Sequence, residues 1–536
     1  MSKIVNPILR GFNPDPSIIR VGDDYYIATS TFEWFPGVQI HHSKDLKNWR
    51  LLTHPLARKS QLDMIGNPDS GGVWAPCLSY SDGTFYLVFT DVKSHLGPFK
   101  DTHNYLVTAK DIKGPWSDPI YLNSSGFDPS LFHDEDGKKW LLNMVWDHRK
   151  GKNSFGGILL QEYSVEEQRL VGPIYNIFRG TELGLTEGPH IYKHNRYYYL
   201  MTAEGGTRFG HAVTVARSKS LFGPYQVDPF GPILTSSGKP ELELQRAGHA
   251  SLVETQNNEW YIAHLCGRPL RPSMNCNLGR ETALQRVEWT GDGWLRLVGG
   301  GNSPHVEVQG PVLPEHPFAP EPQTEHFDGK HISIHLQSLR EPLSEEWVSI
   351  KKRPGFLRLT GRESLSSTHR QSMIARRQQS FTVEAETVVQ FSPETYQHLA
   401  GLIYYYNTKN YYYLWISHDE QLGKCLGIMT SDRGMYDEPL ETPVSIEGWE
   451  RVYLKVKIHF EQLQFYYSQD GVNWIAIGPV LDASKISDEN VELVTGGYRI
   501  DQGFTGAFIG LCVQDLSGQK KYADFDYFTY RELDRQ

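Results

Sequence analysis

The stretch 12-FNPDPSIIRVGDDYYIATSTF-32 runs from a polar opening, Asp15-Pro16-Ser17, into a short apolar strand, a Gly22-Asp23-Asp24 turn and a second strand that begins at Tyr25. Gly, Asn and Asp tolerate the positive φ of a tight turn, so the stretch reads as a β-hairpin. The same unit recurs four more times before residue 300. Its further openings are Trp74-Ala75-Pro76, Asp128-Pro129-Ser130, Glu187-Gly188-Pro189 and His249-Ala250-Ser251. Each time an aromatic residue (Tyr25, Phe85, Trp140, Tyr197, Trp260) starts the next strand 10 to 12 residues after the opening. Successive openings lie 59, 54, 59 and 62 residues apart, enough for four antiparallel strands.

A strand repeat of that length reads as a propeller blade, because twisted sheets arranged around an axis bury both faces against like neighbours. Five repeats predict a five-bladed β-propeller over residues 1–303. The innermost strand of each blade lines the central channel, so the residues opening it converge at one mouth. That groups Asp15, Trp74, Asp128, Glu187 and His249 around a single pocket.

Beyond the repeats, six prolines fall between residues 304 and 322 (Pro304, Pro311, Pro314, Pro317, Pro320 and Pro322). They predict an extended linker over 304–324 without strand or helix. A second domain over 325–536 carries alternating or aromatic runs such as 381-FTVEAETVVQF-391, 400-AGLIYYYN-407, 411-YYYLWIS-417 and 452-VYLKVKI-458. These read as strands of a β-sandwich, and no helical period persists, so the fold class is all-β.

The chain has 536 residues and a formal net charge of -10 with both signs mixed along it, which gives no positive surface for phosphates and excludes nucleic acid as the expected partner. With 29 Tyr and 13 Trp it has an excess of flat rings that suits sugar faces, although a β-rich core uses the same residues. The start, MSKIVNPILRGFNPDPS, has no apolar signal run, and no stretch approaches the ~18 apolar residues of a membrane helix. Five cysteines without metal-ligand spacing fit free thiols in a reducing compartment. A cytoplasmic location and no membrane partner are therefore expected, and the protein is expected to be a homo-oligomer.

Three of the five openings are acids. Asp before Pro often starts a turn and Glu before Gly often caps a loop, but three acids at equivalent positions of a repeat point to chemistry. Hydrolysis of a glycosidic bond needs a protonated carboxyl that donates to the leaving oxygen and an ionised one that acts on water or on the sugar. A third acid can tune them, and burial raises the one that must keep its proton. His249, in the fifth register, is either a satisfied structural group or, as its register suggests, a hydrogen-bond partner or metal ligand.

Taken in order and spacing, 12-FNPDPS-17, 74-WAP-76, 127-FDPS-130, 186-TEGPH-190 and 247-AGHAS-251 resemble the β-xylosidases of glycoside hydrolase family 43, and the resemblance extends over the whole chain. It implies that the sandwich is concanavalin-like and that Asp15 is the general base, Glu187 the general acid and Asp128 the acid that tunes and orients Glu187, in a reaction that inverts configuration. It also implies substrate contacts from Phe32, Trp74, Thr207, His249 and Arg280, and closure of the pocket by Phe504 in 500-IDQGFTGAF-508. Arg280 has the alternative of an ion pair with Glu281 or another acid. For Phe504 the alternative is packing within the sandwich or at a subunit contact. The activity implied is exo-acting release of xylose from the non-reducing ends of β-1,4-xylo-oligosaccharides. No cofactor is required, with a structural Ca²⁺ near His249 left open. The alternatives are an α-L-arabinofuranosidase or arabinanase of the same fold, or a non-catalytic sugar-binding propeller.

Overall fold

Five antiparallel sheets, four of four strands and the fourth blade of five, follow one another up to Leu297, and the first strand of each begins within a few residues of one of the openings. The computed structural model describes residues 2–495 and 498–533. Blade 1 starts with Ser17–Val21, blade 2 with Gly72–Ser81, blade 3 with Ser130–His133, blade 4 with Glu187–His194 and blade 5 with Gln245–Glu254. These five innermost strands touch in a closed ring, each against the next and the fifth against the first.

The third residue of several openings explains itself here. The Ser17 hydroxyl accepts from Leu78 N–H of blade 2 at 3.0 Å, and the Ser130 hydroxyl donates to the Pro189 carbonyl of blade 4 at 2.5 Å. Ser251 of blade 5 accepts from Ile18 N–H at 2.9 Å and donates to the Pro16 carbonyl at 2.8 Å, which ties the last blade to the first. Further along the channel, Tyr192 Oη accepts from Leu252 N–H at 2.8 Å. The inner strands run side by side without a shared ladder, so these side chains satisfy backbone groups that burial would otherwise leave unpaired.

The proline-rich segment is not wholly strandless. Its proline-free part supplies Glu307–Gln309, which pairs antiparallel with Lys3–Val5 and brings the end of the propeller back to its beginning. The second domain is two packed sheets. One contains Leu357–Thr360, Tyr522–Glu532, Thr382–Gln390, Val452–His459 and Gln462–Ser468; the other contains Ser372–Arg377, Phe508–Asp515, His398–Asn407, Asn410–Asp419 and Gly423–Asp432. Every residue of His398–Asn407 is buried, because this sheet is covered on both faces. Leu402, Tyr404 and Tyr406 face the sandwich core, while Ile403 and Tyr405 join a second core with Phe12, Phe32 and Trp34 of the propeller. Trp34 stacks on Phe508 with ring centroids 3.7 Å apart, a contact worth about 0.5–1.5 kcal/mol beyond its buried area. Many of the aromatic residues are thus spent on holding two domains as one body. Among the described residues the one α-helix is Asp488–Val491, and no helix is long and apolar enough to cross a membrane.

Candidate active site

Backbone conformation marks the openings before any side chain does. Asp15, Asp128 and His249 sit at φ 56°, 55° and 48°, in the left-handed region that side chains with a Cβ rarely adopt. In blade 4 the turn falls on Gly188 at φ 58°, and a Cβ there would lie 3.0 Å from the His249 ring. The chain bends as it leaves the mouth for the channel, and strain of this kind, of order 1–3 kcal/mol per residue, gathers where geometry matters more than stability.

All nine residues singled out from the sequence line one cavity of about 220 Å³: Asp15, Asp128 and Glu187 with Phe32, Trp74, Thr207, His249, Arg280 and Phe504. Asp15 is 5 % exposed and surrounded by partners. Ser30 Oγ donates to its Oδ2 at 2.6 Å, and Arg280 Nη1 and His249 Nδ1 lie 3.3 and 3.5 Å from its Oδ1. Burial would raise its carboxyl, but the Arg280 guanidinium, the His249 ring and the Ser30 hydroxyl together hold it below the usual carboxylate range.

Glu187 is the opposite case. Among the described residues its carboxyl has neither a hydrogen-bond nor an ion-pair partner. Burial first, then the Asp15 charge, push it up to about 8. Asp128 accepts from Gly188 N–H at 3.0 Å and is raised well above its ordinary value by burial, then by Glu187 and Asp15. One cavity therefore holds an acid kept ionised at neutral pH beside a carboxyl kept protonated.

Arg280 pairs with Asp15 rather than with Glu281, which Arg268 takes at 2.7 and 2.8 Å. Its other bonds go to Thr207 Oγ1 and to the Phe504 carbonyl, both at 3.0 Å. Phe504 comes from the sandwich domain. Its ring stacks 5.9 Å from Phe32 and meets Trp74 edge-on at 5.5 Å, and its N–H donates to Ser70 Oγ at 3.0 Å. The same Ser70 accepts from Trp74 Nε1 through its carbonyl at 2.9 Å, so one residue sets two walls of the pocket. The helix Asp488–Val491 of the sandwich is tied to the propeller by ion pairs, Arg246, fully buried, meeting Asp488 at 2.9 Å and Glu489 at 3.1 Å and Arg208 meeting Asp488 at 3.2 Å, and Arg208 Nη2 also donates to the Gly503 carbonyl next to Phe504 at 3.1 Å.

His249 does not suit a calcium ion. The carboxylate beside it belongs to Asp15, which the Arg280 cation already contacts, and among the described residues no three His, Cys, Asp or Glu side chains group as a metal site would need.

The cavity also takes in Lys100, Phe127, Trp146, Phe155, Arg208, Arg499 and Gln502, which sequence reasoning did not single out. Phe127 stood in plain sight in 127-FDPS-130. Lys100, Trp146 and Arg499 lie at no repeated register, and nothing in the sequence places them at the mouth.

The family model described as "Glycosyl hydrolases family 43" matches residues 4–295, and "Beta xylosidase C-terminal Concanavalin A-like domain" matches residues 324–531. A protein named "Beta-xylosidase" from Bacillus subtilis (strain 168) is 53% identical, covering 99% of this chain and 100% of that one. "Xylosidase/arabinosidase 43B" of Humicola insolens is 50% identical over 99% of this chain and 98% of its own. A crystal structure of "xylan beta-1,4-xylosidase from Bacillus Halodurans C-125" superposes with a TM-score of 0.96 at 59% identity, covering 99% of this chain and 100% of that one.

Proposed function

The chain belongs to glycosyl hydrolase family 43, and from that premise we propose that it releases xylose, one unit at a time, from the non-reducing ends of β-1,4-xylo-oligosaccharides with inversion at the anomeric carbon. It is a glycoside hydrolase. The observation that carries the mechanism is the contrast between two carboxyls in one pocket: Asp15 tied to Ser30, Arg280 and His249, and Glu187 free of direct partners and half-buried.

In this reading Asp15 takes a proton from water as the water oxygen attacks the anomeric carbon. Glu187 gives its proton to the departing glycosidic oxygen on the other side of the sugar. Xylose leaves in the α configuration, the shortened oligosaccharide leaves with a new hydroxyl, and the two carboxyls exchange charge states until solvent restores them. Asp128, whose own carboxyl is raised by burial and by the Glu187 and Asp15 charges, tunes Glu187 in this reading and helps fix the Gly188 turn that aims it. Phe32, Trp74 and Phe504 wall the sugar, and Arg280 offers donors to its hydroxyls.

Exo action follows from a pocket closed by the sandwich loop: a chain end enters, and the middle of a chain has no way through. The Humicola insolens relative, whose name joins xylosidase and arabinosidase, supports a side activity on α-L-arabinofuranosides at the same pocket. The reading places the enzyme in the cytoplasm, supported by five buried free cysteines.

Proton NMR of xylobiitol, whose alditol leaving unit has no anomeric centre of its own, tests activity and stereochemistry together during hydrolysis. The first xylose signal is expected to be the α anomer, with the β anomer growing in only by mutarotation. β-Xylose as the first product would overturn inversion, and intact xylobiose beside rapid turnover of an aryl α-L-arabinofuranoside would overturn the substrate.

A further inference from the structure

The pocket carries two cations, Lys100 and Arg499, that bind no catalytic carboxylate directly, although Lys100 lies close enough to Glu187 to lower its carboxyl. Lys100, at the end of the blade 2 loop, lines the cavity with its Nζ 4.3 Å from the centroid of the Trp146 ring. Nζ donates to the His95 carbonyl at 2.5 Å, and among the described residues no carboxylate lies within ion-pair distance of it. Arg499, on the sandwich hairpin strand Tyr498–Asp501, lines the same cavity and is close enough to lower the Lys100 pKa by charge repulsion. Arg499 Nε is 3.0 Å from Glu492, while its side chain is 56% exposed. Arg208, the third cation there, is neutralised by Asp488 and Glu492.

Two cations from different domains thus share a partly dry pocket, and one of them, Lys100, has no ion pair, only the more distant influence of Glu187. Burial and repulsion both make that costly, and a bound anion between them offsets both. In the proposed mechanism the leaving unit departs on the side of Glu187, and Lys100 is among the charges that act on Glu187, so the Lys100 side meets the unit that leaves. Trp146 supplies a flat face for that unit.

Resting on the xylosidase reading, we propose that Lys100, assisted by Arg499, makes this enzyme selective for xylo-oligosaccharides whose leaving unit bears a carboxylate. Two sources supply that chemistry: an aldonic acid formed by oxidation of the reducing end, or a uronic acid substituent on the leaving xylose.

The test compares kcat/KM at pH 6.5 and low ionic strength on two matched pairs. The first is xylobionate against xylobiitol, both with an open-chain leaving unit. The second is xylobiose carrying a 2-O-glucuronosyl group on the leaving xylose against its 2-O-glucosyl counterpart. A preference for the charged member of about three- to tenfold is expected, in the range of partly screened ion pairs, and it should shrink as salt is raised. A gain in the first pair identifies the aldonate, and a gain in the second the uronate.

In Lys100→Met the ratio should fall to about one, in Arg499→Gln it should fall part way, and Lys100→Arg should retain it. Equal rates within both pairs for the wild-type enzyme would overturn the proposal, as would a preference unchanged in Lys100→Met. Should Lys100→Met fail to fold, Lys100→Arg and Arg499→Gln decide the same question. Xylobiitol turnover itself reports on the underlying xylosidase reading: if xylobiitol and xylobiose are both inert, that reading fails, whereas active turnover with no charge preference sinks only the selectivity.

Discussion

The same five strands serve two purposes at two points along their length. Where they start, at the mouth, the backbone is bent into the left-handed region at Asp15, Asp128 and His249, and three carboxyls crowd one cavity. A few residues further in, Ser17, Ser130, Ser251 and Tyr192 pair backbone groups of neighbouring blades. The mouth stores cost and the interior repays it. Chemistry is built at strand ends because an end can bend and expose a side chain without breaking a ladder, and the rigid interior holds that bend in place.

The most severe way to break this contrast is at the mouth. Asp15→Asn and Glu187→Gln are each expected to lower kcat on xylobiose by roughly 10²–10⁴-fold or more, as removal of a positioned base or acid does. Glu187 has no partner to lose, so Glu187→Gln should melt at the wild-type temperature, and it should be partly spared on aryl xylosides whose leaving group needs no proton. Near-normal xylobiose turnover by either variant removes that residue from the mechanism.

A subtler change at the mouth concerns the proton. Glu187 must be protonated to act, and its carboxyl is raised to about 8, so kcat/KM should hold below that pH and fall as pH rises through it. On the acid side Asp15 must be ionised, and its lowered pKa keeps the rate up through the usual carboxylate range. In the tuning role Asp128 is an ionised neighbour, so Asp128→Asn should let Glu187 lose its proton earlier and move the alkaline limb to lower pH, whereas an Asp128 that stays protonated, as its raised carboxyl favours, leaves the limb where it is. An unmoved limb contradicts the tuning role whatever the rate does.

The interior should behave in reverse. Tyr192→Phe leaves the Leu252 N–H buried without its acceptor and should cost about 1–3 kcal/mol of stability, seen as a lower melting temperature, with kcat/KM on xylobiose kept within about twofold. A kinetic loss larger than the stability loss would show that the two zones are coupled and blur the division drawn here.

The sequence by itself determined the repeat, the number of blades and the register of its acids, because hairpin chemistry and strand alternation are local and the five openings can be aligned by eye. It also brought Phe504 to notice, since an aromatic between glycines has no place in an ordinary strand pattern. The linker reading missed the strand Glu307–Gln309, whose partner Lys3–Val5 lies at the other end of the propeller and leaves no trace in local pattern. Lys100, Ser70 and Arg499 were equally invisible, since each matters only for what it meets: Trp146, the backbone of Phe504, and a cavity shared by two domains. Tertiary structure alone decided the charge states as well. Asp15 and Glu187 are both acids at blade openings in the sequence, and what separates them is that the fold brings Ser30, Arg280 and His249 to one and leaves the other without a partner, so that burial acts on Glu187 unopposed by any direct contact.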